Sequence, residues 1–190
     1  MATESARPDS DLIESAAAFA RDVIRPNAAA WEQDRIAPRS AFEEAAARGL
    51  CGLMVPQDKG GLGLPVATLA RIMEEVAAGD MGLAFGLVAH NTVAASIARN
   101  GSEELCQAHV PDLMSAKRIG ALLLTEPKGG SDAAAIETAA TEKDGGWILN
   151  GHKTWVSNGS HADLLSVFAQ TDPAAGWRGI GGFLIDAKGP

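Results

Sequence analysis

Positive charge is scarce in this chain of 190 residues, where 16 lysines and arginines stand against 24 aspartates and glutamates for a net charge of −8. Binding a nucleic-acid backbone needs clustered Lys and Arg, so this balance excludes such a partner. Cysteine is scarce too. Cys51 and Cys106 lie far apart and make no metal-type spacing, and they read as two buried thiols in a reducing compartment. The histidines, His90, His109, His152 and His161, have no companion pattern for a metal site. No apolar run reads as long enough to span a bilayer, and neither end carries a basic-then-apolar secretory signal. These absences give cytoplasmic as the expected location. Tyrosine is missing altogether, from which nothing about function follows. What is present, 46% hydrophobic and 21% charged residues, is ordinary globular material of a length for one large domain or two small ones.

Helical signals fill the first part. Met1 to about Ser10 is polar and reads as a frayed end. Leu12, Ala16, Phe19 and Val23 repeat at three- and four-residue spacing and predict a helix over Asp11 to Arg25, which Pro26 should kink or end before a second piece to Trp31. Ser40 and Glu43 have the spacing of a capping box ahead of a short helix that Gly49 should close. Gly60-Gly61-Leu62-Gly63 lacks a preceding strand and the full dinucleotide spacing, so it reads as a packing turn rather than a phosphate cradle. Pro65 suits the first position of a helix over Val66 to Ala78. Glu74 and Glu75 are adjacent, point apart on that helix, and read as a solvated face or a helix-end ion pair.

Met81 to Asn100 is a nearly apolar helix closed by Gly101, which buries it between others. Ser102 should cap a helix that starts at Glu103, runs to about Ala108 and restarts after Pro111. From Ile119 the pattern changes to short strand-like segments at Ile119–Thr125, Thr138–Thr141, Trp147–Leu149, Lys153–Ser157, Leu164–Ala169 and Gly182–Ile185. Helices followed by strands give an α+β chain. It divides into an all-α domain over 1–118 and a β-domain over 119–190.

Two motifs carry the chemistry. In Leu122-Leu123-Leu124-Thr125-Glu126-Pro127-Lys128-Gly129-Gly130-Ser131-Asp132, a buried strand breaks into a glycine loop that lets backbone N–H groups approach a ligand. In Leu149-Asn150-Gly151-His152-Lys153-Thr154-Trp155-Val156-Ser157-Asn158, Asn150-Gly151 predicts a hairpin turn. That hairpin would put the Trp155 indole and the Ser157 hydroxyl on one side of a strand. An indole, hydroxyls and a Gly-Ser loop suit a flat aromatic ligand with a phosphate. Glu126 and Asp132 read as carboxylates that fix the loop by local hydrogen bonds.

This pair of motifs resembles the acyl-CoA dehydrogenases, and the resemblance runs from the N-terminal helices to Gly182-Phe183-Leu184-Ile185. It implies an antiparallel, barrel-like β-domain, incomplete here, after the helical domain. It also implies FAD as cofactor and α,β-dehydrogenation of an acyl-CoA thioester, with hydride passing to the flavin, in fatty-acid or amino-acid catabolism. By resemblance Leu122 and Leu124 supply backbone contacts to the flavin ring and Thr125 meets its edge. Trp155 packs against the ring, Ser157 lies near it, and Gly130 and Ser131 sit near the pyrophosphate, Ser131 also near the thioester. His90 and Asn91 are candidate residues along the acyl pocket; the bland alternative is a hydrogen-bonded pair in the core. The family's catalytic glutamate belongs to a later helical bundle, and no glutamate here matches it. An electron-transfer flavoprotein as acceptor and a homotetramer or dimer are implied as partners. Rival readings keep the fold with monooxygenase or nitroalkane oxidase chemistry, or leave a non-catalytic interaction module.

Overall fold

The computed structural model describes residues 8–189. The polar N-terminal stretch of the sequence reading lies mostly outside them. The chain divides between Arg118 and Ile119 into two compact units.

The first unit is helical, with α1 (Pro8–Phe19), α2 (Arg25–Asp34), α3 (Arg39–Ala47), α4 (Val66–Ala77), α5 (Met81–Asn100) and α6 (Glu103–Met114). Between α1 and α2 the chain does not break, as Pro26 led us to expect, but widens into a π-helical turn over Ala20–Ile24. There the Arg25 amide reaches back to the Ala20 carbonyl. Proline has no N–H and its ring crowds the carbonyl four residues back, so a wider turn just ahead of it absorbs the misfit.

The end of α3 follows the sequence reading and its start does not. Gly49 sits at φ 75°, with Gly49 N–H bonded to Ala46 O and Leu50 N–H to Ala45 O, the paired bonds of a Schellman cap. At the other end Pro38 is the N-cap and no side chain caps the helix; Ser40 lies inside it, so the capping box does not form. Pro65 likewise sits at the N-cap of α4, one position earlier than expected. Asp80 and Ser102 do cap, accepting from Leu83 N–H at 2.6 Å and Leu105 N–H at 3.3 Å. The helix from Glu103 runs unbroken to Met114 with Pro111 inside it. A proline there forfeits one intrahelical bond, which the packed unit tolerates.

The glycine turn closes on the segment before it, through Leu62 N–H to Gly52 O and Gly63 N–H to Val55 O. A Cβ on Gly61 would lie 2.3 Å from the Val55 carbonyl oxygen, so that close approach demands glycine. Leu69, Ile72, Met73 and Val76 make the buried stripe of α4. α5 lies between α4 and α6 and is buried on most sides. By length and mean hydropathy, 1.4, it could cross a bilayer, contrary to the sequence reading, but 61% of it is buried, as in the core helix of a packed unit.

The second unit is a mixed five-stranded sheet of β1 (Gly120–Leu123), β2 (Ala139–Lys143), β3 (Gly146–Asn150), β4 (Leu164–Gln170) and β5 (Ile180–Asp186). β4 is its centre. β5 pairs antiparallel along the whole of β4, from Leu164↔Asp186 to Gln170↔Ile180. β1 pairs parallel with Leu164–Val167, and β2 touches Gln170 in the same sense through Ala139. A strand has two edges, so β1 and β2 share the edge that β5 leaves. The expected all-antiparallel pattern is thus corrected to a mixed one. The long excursion between β1 and β4 lets them run the same way.

β2 and β3 form the hairpin, and its turn is Asp144-Gly145, at φ 52° and 78° between the paired Lys143 and Gly146. Two central residues at positive φ are what a right-twisted two-residue hairpin requires. The Asn150-Gly151 hairpin does not form; Asn150 ends β3. Gly151 is there for another reason, since a Cβ on it would lie 2.3 Å from Thr138 Oγ1.

Candidate functional site

β1 delivers Leu124, Thr125 and Glu126 just past its C-terminal end. Glu126, Pro127, Lys128 and Gly129 close a tight turn, with Glu126 N–H to Gly129 O at 2.9 Å and the reverse bond at 3.1 Å. Gly130 then passes against Thr125, so closely that a Cβ would be 2.9 Å from the Thr125 side chain. A cavity of about 210 Å3 opens beside this turn, lined by Leu124, Glu126, Gly130, Asp132 and Glu137 among others. Ser131 is exposed one residue further on.

The second motif lies alongside β1, although the predicted strand over Lys153–Ser157 does not form. Thr154 N–H donates to Thr125 O at 2.9 Å, and Asn158 Nδ2 donates to Gly120 O at 3.1 Å, so the loop is tied at both ends of β1. Between the ties Trp155 sits at φ 55° and Asn158 at 65°. Two left-handed residues break the ladder that a strand would need. Trp155 and Ser157 are therefore not a strand's alternate pair. The indole is 91% exposed, and Ser157 is half-buried. A bulky residue at positive φ is strained by about 1–3 kcal/mol and persists only where its surroundings impose it.

Glu126 and Lys153 join the two motifs. Lys153 Nζ donates to Glu126 Oε1 at 2.8 Å and to Leu124 O at 3.0 Å, with side chains only 6% and 8% exposed. Glu126 also accepts from Glu137 N–H at 2.7 Å and Thr138 N–H at 2.9 Å. Burial pushes its carboxyl upward, but donors on Lys153, Thr138 and Glu137 outweigh that and bring it down to about 2. Glu126 does fix the loop, as expected, but through partners far along the chain; Asp132 bonds locally, accepting from Ala134 N–H. The carbonyl of Leu124 is committed to Lys153, which narrows what this residue offers a ligand. Lys153 and Asn158 stood in the motif without a role assigned to them. For Asn158 the signal available was asparagine's tolerance of left-handed backbone; Lys153, between His152 and Thr154, carried none.

Leu122 lies on β1 opposite Ser166 in the register, on the other face from Ala121 and Leu123. On the Leu123 face a second cavity of about 260 Å3 is lined by Leu123, Leu149, Val156, Val167 and Ile185 with Thr138 and Lys153.

His90 and Asn91 belong to the helical core, which corrects the pocket-lining expectation. Both are fully buried. Asn91 accepts from Leu53 N–H at 3.0 Å and donates to Leu50 O and Leu87 O. His90 Nε2 is 2.9 Å from Leu113 O, and burial holds the ring down to about 4 despite that carbonyl. Among the described residues no cluster of His, Cys, Asp or Glu could hold a metal.

A helical unit followed by a mixed sheet, with an exposed indole at positive φ in the loop tied to Thr125, defines an α+β protein. The sequence matches the family models for the acyl-CoA dehydrogenase N-terminal domain over residues 8–117 and middle domain over residues 121–190, and the chain belongs to the acyl-CoA dehydrogenase family. Among its relatives, mitochondrial isovaleryl-CoA dehydrogenase from Solanum tuberosum is 37% identical over 91% of this chain and 43% of that protein. Glutaryl-CoA dehydrogenase from Desulfococcus multivorans is 37% identical over 90% of this chain and 45% of its own length. The chain thus spans less than half the length of these relatives. A solved glutaryl-CoA dehydrogenase from Mycobacterium smegmatis, in complex with FADH2, superposes with a TM-score of 0.87 at 32% identity, covering 98% of this chain and 47% of that one.

Proposed function

We propose that this chain forms the flavin- and acyl-thioester-binding portion of an FAD-dependent acyl-CoA dehydrogenase. The observation that carries the reading is Trp155, a fully displayed indole held at strained positive φ within one residue of the bond to Thr125. Strained residues cluster at ligand-binding sites, which supports the reading. The residues present fit the group. Trp155 would cover the ring face, with Thr125, Ser157 and the main chain of Leu122 and Leu124 at its edge. Gly130 and Ser131 would meet the pyrophosphate or thioester beside the turn cavity. FAD, when bound, supplies the hydride acceptor. The chain's own part is to orient flavin and substrate, exclude water from the ring face and supply donors.

The reading extends to an electron-transfer flavoprotein as acceptor, a homotetramer or dimer as assembly, and a reducing cytoplasm in which the buried Cys51 and Cys106 stay thiols. It is tested by expressing the whole reading frame and recording its visible spectrum before and after anaerobic addition of a short acyl-CoA. A flavin band that bleaches is the expected result. A band that persists would point to a different acyl-CoA or to oxidase or monooxygenase chemistry. Folded protein that takes up no FAD would overturn the reading.

A further inference from the structure

The bonds between the two motifs form one clasp. Leu124, Thr125 and Glu126 are each bonded to Lys153 or Thr154, so the strand end and the tryptophan loop cannot shift separately without breaking them. Glu126 in turn is held by the Glu137 and Thr138 amides at the entry to β2, which refers the loop pair to the sheet. We propose that Glu126 and Lys153 are positioning residues, a buried pair that sets Thr125 against Trp155 and so shapes the flavin platform without contacting the flavin. The proposal rests on the flavin reading above.

A buried ion pair is a poor source of stability, because desolvation offsets most of the attraction and an apolar replacement is often as stable. What such a pair does supply is defined geometry. Lys153 meets two acceptors from one nitrogen, one on each side of Thr125, and Trp155 follows two residues on. A left-handed tryptophan needs surroundings that over-determine it. The clasp supplies them on one side, and the Asn158 bond to Gly120 supplies them on the other.

The test uses the protein from its whole reading frame, labelled with 5-fluorotryptophan, with Trp155→Phe to assign the Trp155 fluorine signal. Glu126→Gln combined with Lys153→Met removes both charges together and avoids stranding either one. The expected result is a folded protein with unchanged circular dichroism, a displaced or broadened Trp155 signal, and an FAD Kd raised by about tenfold or more. A folded double variant with wild-type FAD affinity and an unmoved Trp155 signal would overturn the proposal. If the double variant does not fold, Lys153→Arg decides. It keeps the buried charge but not the single-nitrogen geometry, so wild-type affinity and signal there would also overturn it. If the unmodified protein binds no FAD, the flavin reading fails, and the clasp then stands or falls on the Trp155 signal alone.

Discussion

The helical unit and the sheet unit treat their polar and aromatic groups in opposite ways. In the first, His90 and Asn91 are fully buried and their polar atoms are bonded to main-chain groups of neighbouring segments. In the second, Trp155 is 91% exposed, on a backbone that a tryptophan adopts only under constraint. A satisfied, buried polar pair holds a fold together. An exposed indole at positive φ adds little to packing, and on the proposed function it serves the ligand it would face. The contrast separates side chains bonded into a core from one displayed to solvent, where composition alone treated them alike.

The largest effects should come from stranding a buried group in either unit. Lys153→Met alone leaves Glu126 charged and buried, which should cost about 3–5 kcal/mol in urea unfolding. A loss under about 1 kcal/mol would show the pair to be hydrated. Asn91→Ala orphans Leu53 N–H and Leu50 O inside the helical core and should cost about 2–4 kcal/mol by the same measurement, with flavin affinity in the surviving folded protein unaltered.

Acid should separate the units next. Burial takes His90 from its usual 6.5 to about 4. As pH falls through 6.5 the unfolded chain takes up a proton that the folded helical unit refuses until about 4, so stability is full above that window and lost within it. Glu126 is lowered from 4.5 to about 2, so its contribution is full above 4.5 and lost as pH falls toward 2. Peptide-resolved hydrogen exchange across this range should show α5 loosening at a higher pH than the Glu126 turn. The reverse order would break the comparison.

Trp155→Gly sharpens it from the other side. Glycine accepts φ 55° without strain, so stability should hold or rise by about 1 kcal/mol while FAD binding weakens sharply. A destabilised variant with intact flavin affinity would mean that the indole packs rather than binds. The smallest effect is expected at Ser40→Ala, within about 0.5 kcal/mol of wild type in thermal unfolding, because Ser40 caps nothing.

Local chemistry made part of this structure legible. The bounds of α5, the cap at Ser102 and the left-handed Gly49 follow from groups within a few residues of one another, and the burial of Ala16 and Phe19 on α1 from helical period. The paired motifs likewise singled out Thr125, Gly130 and Trp155, and in the structure the first motif meets the second through Thr125 and Thr154. The hairpin turn was misplaced because Asp144-Gly145 and Asn150-Gly151 carry equally good turn chemistry. What chose between them was register with β2 and the approach of Gly151 to Thr138.

By itself, then, the sequence determined that a helical half precedes a strand-rich half, and the family, since each depends on short-range backbone preferences or on motif spacing. Tertiary structure alone decided that β1 and β4 run parallel, that Lys153 reaches back to Glu126, that Trp155 turns left-handed into the open, and that His90 and Asn91 serve the core. Each of these rests on bonds or packing contacts between segments roughly 20 to 45 residues apart, and such contacts form only when the chain has closed the loop between them.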